Sequence, residues 1–204
     1  MSKVSGEKAS LLASHLIEEQ LRVLPMSAAM ILQPIHGEFE KEAAATLLLR
    51  RKRTTLKTGS GGNIVMDYAE AGTALDFQSS IQALQDDPQQ KIHYLRVVVG
   101  NALLAVGMFL REHQMASIRI PEIQFLGHVV DAIQNANVFR IDDGYMPAAS
   151  FDDLVIDKQL NGTPLFGDGN TQGFMEFGDA VALLQWLAHY LRGERNFVSG
   201  GDAG

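Results

Sequence analysis

Five of the chain's 17 basic residues fall within eight positions: Arg50, Arg51, Lys52, Arg53 and Lys57. Thr54, Thr55 and Leu56 complete the run. Against it stand 24 acidic residues and a formal net charge of −7 for the whole chain. Cations gathered in one place, against the sign of the rest, point to a polyanionic partner. Double-stranded DNA is the first candidate and an anionic lipid surface the second. DNA binding needs groups that neutralise phosphates and groups that reach base edges. Arg50, Arg51, Arg53 and Lys57 suit the first task, and Lys52 belongs to the same binding segment. Thr54, Thr55 and Arg53 suit the second if the segment is extended. The plain alternative is a solvated helix end or a basic loop.

Other candidate chemistry is weaker. Six histidines, His15, His36, His93, His113, His128 and His189, show no tight metal-ligand spacing. His93 and His189 sit inside apolar helical patterns and read as packed side chains. Thr58-Gly59-Ser60-Gly61-Gly62-Asn63 has the glycines of a phosphate loop but lacks the following Lys-Ser/Thr. It also lacks the spacing of a dinucleotide fingerprint, so a hairpin turn is the better reading. Asp142-Asp143 and Asp152-Asp153-Asp157 do not follow the alternation of a calcium loop. Asp168 and Asn170 read as turn formers. No serine has a Gly-x-Ser-x-Gly context. An enzyme is not expected, and neither a cofactor nor a metal is.

These residues have to be positioned by a chain of 204 residues, 46% hydrophobic and 20% charged, which suits a globular domain. Cysteine is absent, which excludes disulfides and thiolate chemistry. The N-terminal residues are polar, and Val97–Leu110 is too short and too interrupted to span a bilayer. A soluble, cytoplasmic protein of bacterial type, with no membrane partner, is the expectation. One globular domain over residues 1–198 and a flexible glycine-rich tail from 199 to 204 are expected.

Apolar spacing predicts a helix over 7–24, stopped by Pro25. A connector follows over 26–37. Acid first and base last predict a second helix over 38–49. Thr54–Thr58 and Asn63–Tyr68 read as two strands of a hairpin around the glycines. Residues 69–84 read as a helix, and Pro88 opens another over 89–112. That helix is apolar on most sides, as a core or interface helix would be. Short strands are expected at 117–120 and 138–141. Residues 151–160 are ambiguous. Further helices are expected from Pro121 to about Asn135 and over 174–192, the latter capped by Gly193. The fold class is mainly α with a few short strands (α+β).

Arg51-Lys52-Arg53, the link Gly61-Gly62 to Ile64, and a helix running into Asp86-Asp87-Pro88 form an ordered set. Gly144-Tyr145-Met146 and Phe151-Asp152-Asp153-Leu154-Val155 follow in turn. In outline, over residues 45–155, this order resembles the AcaB-type transcriptional regulators of conjugative plasmids and integrative conjugative elements. The resemblance implies a homodimeric DNA-binding activator with a ribbon-helix-helix-like dimerisation core. Two function classes are therefore carried forward. One is a DNA-binding regulator acting through residues 50–57. The other is a helical protein–protein adaptor or assembly subunit, resting on the apolar helix 89–112. A small-molecule enzyme built on the loops at 142–170 is a distant third.

Overall fold

The computed structural model describes residues 6–32, 46–50, 56–58, 64–66, 72–76, 84, 87–117 and 119–193. The chain divides into two compact units, Met1–Leu32 with Lys91–Gly204, and Gln33–Gln90. It is mainly helical, with short antiparallel strand pairs.

In the first unit, helix α1 runs from Gly6 to Leu32 with Pro25 inside it. The expected stop at Pro25 is thus corrected. A proline removes one backbone donor and crowds the carbonyl four residues back. Here the helix continues beyond it for seven residues. Ala9, Ala13, Ile17 and Leu24, all before the proline, are buried along one face. That face lies on α4, Phe177–Leu191. The small residues permit close approach, and the Ser14 hydroxyl donates to the Ala188 carbonyl at 3.2 Å.

Helix α2, Pro88–Glu112, begins where the sequence places it. Asp87 Oδ1 accepts the Gln89 N–H at 2.9 Å, which caps the first turn. Val99, Ala102, Leu103, Val106 and Leu110 are buried. By length and composition Gln89–Glu112 could cross a bilayer, with a window of mean hydropathy 1.5. The central helix of a packed unit has the same composition.

Helix α3, Pro121–Gln134, follows a short 3-10 turn at Met115–Ser117. No strand forms at the described residues of 117–120. Ile120 is extended (φ −101°, ψ 125°), as the residue before a proline tends to be, and leads straight into the helix. Helices α2 and α3 meet at Gly107, where a Cβ would lie 2.3 Å from Val130 Cγ2. Arg111 Nη2 clamps them further on, donating to Gly127 O at 2.8 Å and pairing with Asp131 at 2.7 Å.

The expected strand at 138–141 is reduced to a one-residue bridge, Val138 to Pro164. Proline has no N–H with which to extend a ladder. Ile141 N–H is taken instead by the Asn161 side chain at 3.0 Å. Ser150–Phe151 (β5) and Leu154–Val155 (β6) make a small hairpin. A 3-10 turn follows at Lys158–Leu160, capped by Asp157. Phe125, Phe139, Phe151 and Phe174 form an aromatic cluster under this region, with Phe139 edge-on to Phe174 at 5.3 Å. Helix α4 opens with a reciprocal cap between Glu176 and Asp179. It closes at Gly193, which takes φ +81° and donates to Tyr190 O.

In the second unit, β1 (Thr46–Arg50) pairs antiparallel with β4 (Gly72–Asp76), and β2 (Leu56–Thr58) with β3 (Ile64–Met66). The expected strand pairing is present over Leu56–Thr58 and Ile64–Met66, and the rest of the expected hairpin lies outside the described residues. The expected helices over 38–49 and 69–84 are overturned where β1 and β4 stand. Leucine-rich runs tolerate either state, and a pairing partner more than twenty residues away decides between them. Residues 38–45 of that expectation lie outside the described residues.

Candidate functional site

Arg50 ends β1 opposite Gly72, and Lys57 is central in β2 opposite Val65. Arg51, Lys52, Arg53, Thr54 and Thr55 lie outside the described residues, as does the glycine segment 59–63. The two ladders nonetheless share one register. Partner numbers have the same total in both, as in Thr46 with Asp76 and Leu56 with Met66. Five residues separate the ladders on each arm, 51–55 and 67–71. Arg50 and Lys57 therefore stand in paired strands on the same side of the two ladders.

A second arrangement in the helical unit was not anticipated from the sequence. Arg96, from the middle of α2, stands between two clefts that also share Phe166. One cleft, about 400 Å³, is bounded by the loop 167–172 and by Glu176. The other, about 450 Å³, runs between α2 and the end of α3, against Val97, Gly100, Ile133 and Ala136. Arg96 Nε and Nη2 are both buried and have no hydrogen-bond partner among the described residues. Removal from water pushes the Arg96 pKa down, opposed by the charges of Asp168 and Glu176.

The loop bounding the first cleft is built on Asp168. Its Oδ1 accepts from the Asn170 N–H at 2.9 Å, the Thr171 N–H at 2.6 Å and the Thr171 hydroxyl at 2.7 Å. These bonds, the Thr171 hydroxyl first, hold the carboxyl at a pKa of about 2. Asp168 is thus the turn former its context suggests. Gly167 and Gly173 close the loop so tightly that a Cβ on Gly173 would fall 2.1 Å from the Gly167 nitrogen.

The second cleft ends in two consecutive left-handed residues, Ala136 (φ 57°) and Asn137 (φ 68°). Asn137 is fixed by paired bonds to Phe166, donating to its carbonyl at 2.8 Å and accepting its N–H at 3.0 Å. His93 and Asn101 are exposed on the rim.

The remaining carboxylates do structural work or face water. Asp157 caps a turn, and Asp142, Asp143, Asp152 and Asp153 are exposed. Among the described residues no group of three or more His, Asp or Glu could hold a metal ion. Arg96 gave only a faint signal in the sequence: one permanent charge inside the apolar run Leu95–Val99. Comparison with family models, curated proteins and solved structures found no match.

Proposed function

We propose that the chain is a DNA-binding transcriptional regulator that grips duplex DNA through the basic arm of its ribbon, as a homodimer. The carrying observation is the shared register of the two ladders, with Arg50 and Lys57 in their first strands; that Arg51 through Thr55 continue this arm is part of the proposal. A two-stranded ribbon fits the major groove of B-DNA. Arg50, Arg51, Lys52, Arg53 and Lys57 would neutralise phosphates, and Thr54 and Thr55 would approach base edges. The kinship with AcaB-type regulators belongs to this proposal. So does a ribbon-helix-helix-like core, in which a ribbon is shared between two chains. The described strands pair within one chain, so such a core would need further pairing across the dimer.

Helix α1 supports the dimer. Leu12, Leu16, Glu19, Val23, Met26 and Met30 recur at alternating four- and three-residue spacing, which suits a seam between two helices. Val23, Met26 and Met30 are about half exposed or more, at 49%, 62% and 51%. The adaptor reading would give this same stripe to a different protein.

The test is fluorescence anisotropy with genomic fragments recovered by the purified protein, at several salt concentrations. Arg51→Ala with Arg53→Ala should weaken binding strongly, leaving it measurable only at low salt, while the circular dichroism is unchanged. No binding by the unaltered protein at low salt, together with a defined protein partner lost on Met26→Glu, would replace the regulator by the adaptor.

A further inference from the structure

We propose that the cleft between the middle of α2 and the end of α3 binds a small organic carboxylate with an apolar body, held by Arg96. This site stands on the helical unit alone, so it holds or fails independently of the ribbon.

The orphaned nitrogens give the headgroup. Nε and Nη2 carry the two N–H bonds that run side by side on one edge of a guanidinium. That edge matches the paired oxygens of a carboxylate. A covered cationic edge with no acceptor among the described residues is costly to a fold. Two donors of this cation are thus left without an acceptor among the described residues.

Electrostatics selects the cleft. An anion on the loop side would face Asp168 and Glu176, the two carboxylates whose fields already act on Arg96. Among the described residues the α2–α3 side has no carboxylate in its wall. Its polar groups are His93, Arg96, Asn101 and Asn137, and Asn137 is committed to Phe166.

Size and lining give the rest of the ligand. A volume of about 450 Å³ lies in the range of small-molecule sites. Val97, Ile133, Ala136 and Phe166 offer apolar walls that a bare phosphate would leave unused. Ala136, at φ 57°, is held in a conformation that an L residue with a Cβ rarely takes. Such strain gathers where a wall has to keep a particular shape. The covered guanidinium edge has to turn toward the cleft for binding. Arg96 is partly exposed and its flexible side chain allows that turn.

The experiment titrates the full chain with benzoate and with hexanoate. Benzamide serves as the neutral match of benzoate, and inorganic phosphate as the anion without a body. Binding is read from the arginine Nε resonances by NMR and from the melting temperature. One carboxylate or both should shift an Nε resonance saturably and raise the melting temperature. Benzamide should do neither. Arg96→Gln should weaken binding at least tenfold. Gly100→Leu should block the cleft while keeping Arg96, because a Cβ at Gly100 meets only Ile133, at 3.9 Å. Asp168→Asn, on the other cleft, should leave binding in place. Arg96→Met should raise the melting temperature of the ligand-free protein, since it removes an unsatisfied charge. The site is overturned if neither carboxylate binds. It is equally overturned if phosphate or benzamide binds as well as benzoate, or if binding survives both Arg96→Gln and Gly100→Leu.

Discussion

Gly107 is a position where one hydrogen atom decides how two helices meet. A Cβ there would sit 2.3 Å from Val130 Cγ2 and 3.7 Å from Leu126 Cγ. Alanine improves helix propensity by about 1 kcal/mol over glycine. Overpacking of a tight core contact costs about 1–3 kcal/mol. Gly107→Ala should therefore be net destabilising, with a lower urea midpoint and an unchanged slope. A gain in stability would mean that α2 and α3 separate freely. His128, on α3, sets a pH dependence. Its pKa lies below the usual histidine value, first because burial disfavours the charged ring and then because of Arg111; Asp131 opposes both. The unfolded chain binds the proton more readily, so stability falls as pH drops below about 6.5. The fall levels off beneath the folded-state pKa. His128→Gln should flatten this part of the profile, measured by urea unfolding between about pH 7.5 and pH 5.

At the scale of elements, α1 tests whether an exposed apolar stripe is a seam. Val23 and Met26 occupy adjacent positions of the four–three pattern on either side of exposed Pro25. A carboxylate at either would be forced against apolar side chains in a paired helix. Met26→Glu should shift the protein from dimer to monomer in sedimentation equilibrium, with circular dichroism unchanged. A monomeric parent protein would refute the seam. Legibility in the sequence follows how local each cause is. Helices α2, α3 and α4 follow from nearby residues: prolines at their starts for two of them, a cap at Gly193, and an apolar stripe in each. The hairpin β2–β3 is local too and was readable. Strands β1 and β4 were not, because each borrows its hydrogen bonds from the other, and neither Thr46–Arg50 nor Gly72–Asp76 has a pattern that excludes a helix. Pro25 misled because a proline inside a helix removes one hydrogen bond and crowds one turn, and it can kink a helix without ending it. The basic segment was visible as charge. Arg96 was not legible in the sequence, since Phe166 and its neighbours, which line the same clefts, lie far along the chain.

On the scale of the whole molecule, charge is the deciding quantity. A chain of net charge −7 repels DNA wherever it does not present its basic arm. Without residues 50–57 it would carry twelve basic residues against 24 acidic ones. Contact should therefore be confined to the ribbon, and the salt dependence of binding should count the cations that take part. Each phosphate neutralised on duplex DNA contributes about 0.9 to the slope of log K against log salt. Five cations from one chain set a ceiling of about 4.5, and two chains of a dimer a ceiling of about 9. The slope thus separates one engaged ribbon from two without knowledge of the DNA sequence. Arg51→Ala with Arg53→Ala should lower it by about 2 per engaged chain. Anisotropy over a salt series, with parent and variant on the same fragment, measures both numbers. An unchanged slope in the variant, with binding retained, would place the DNA contact elsewhere on the molecule and remove the ribbon from the proposal.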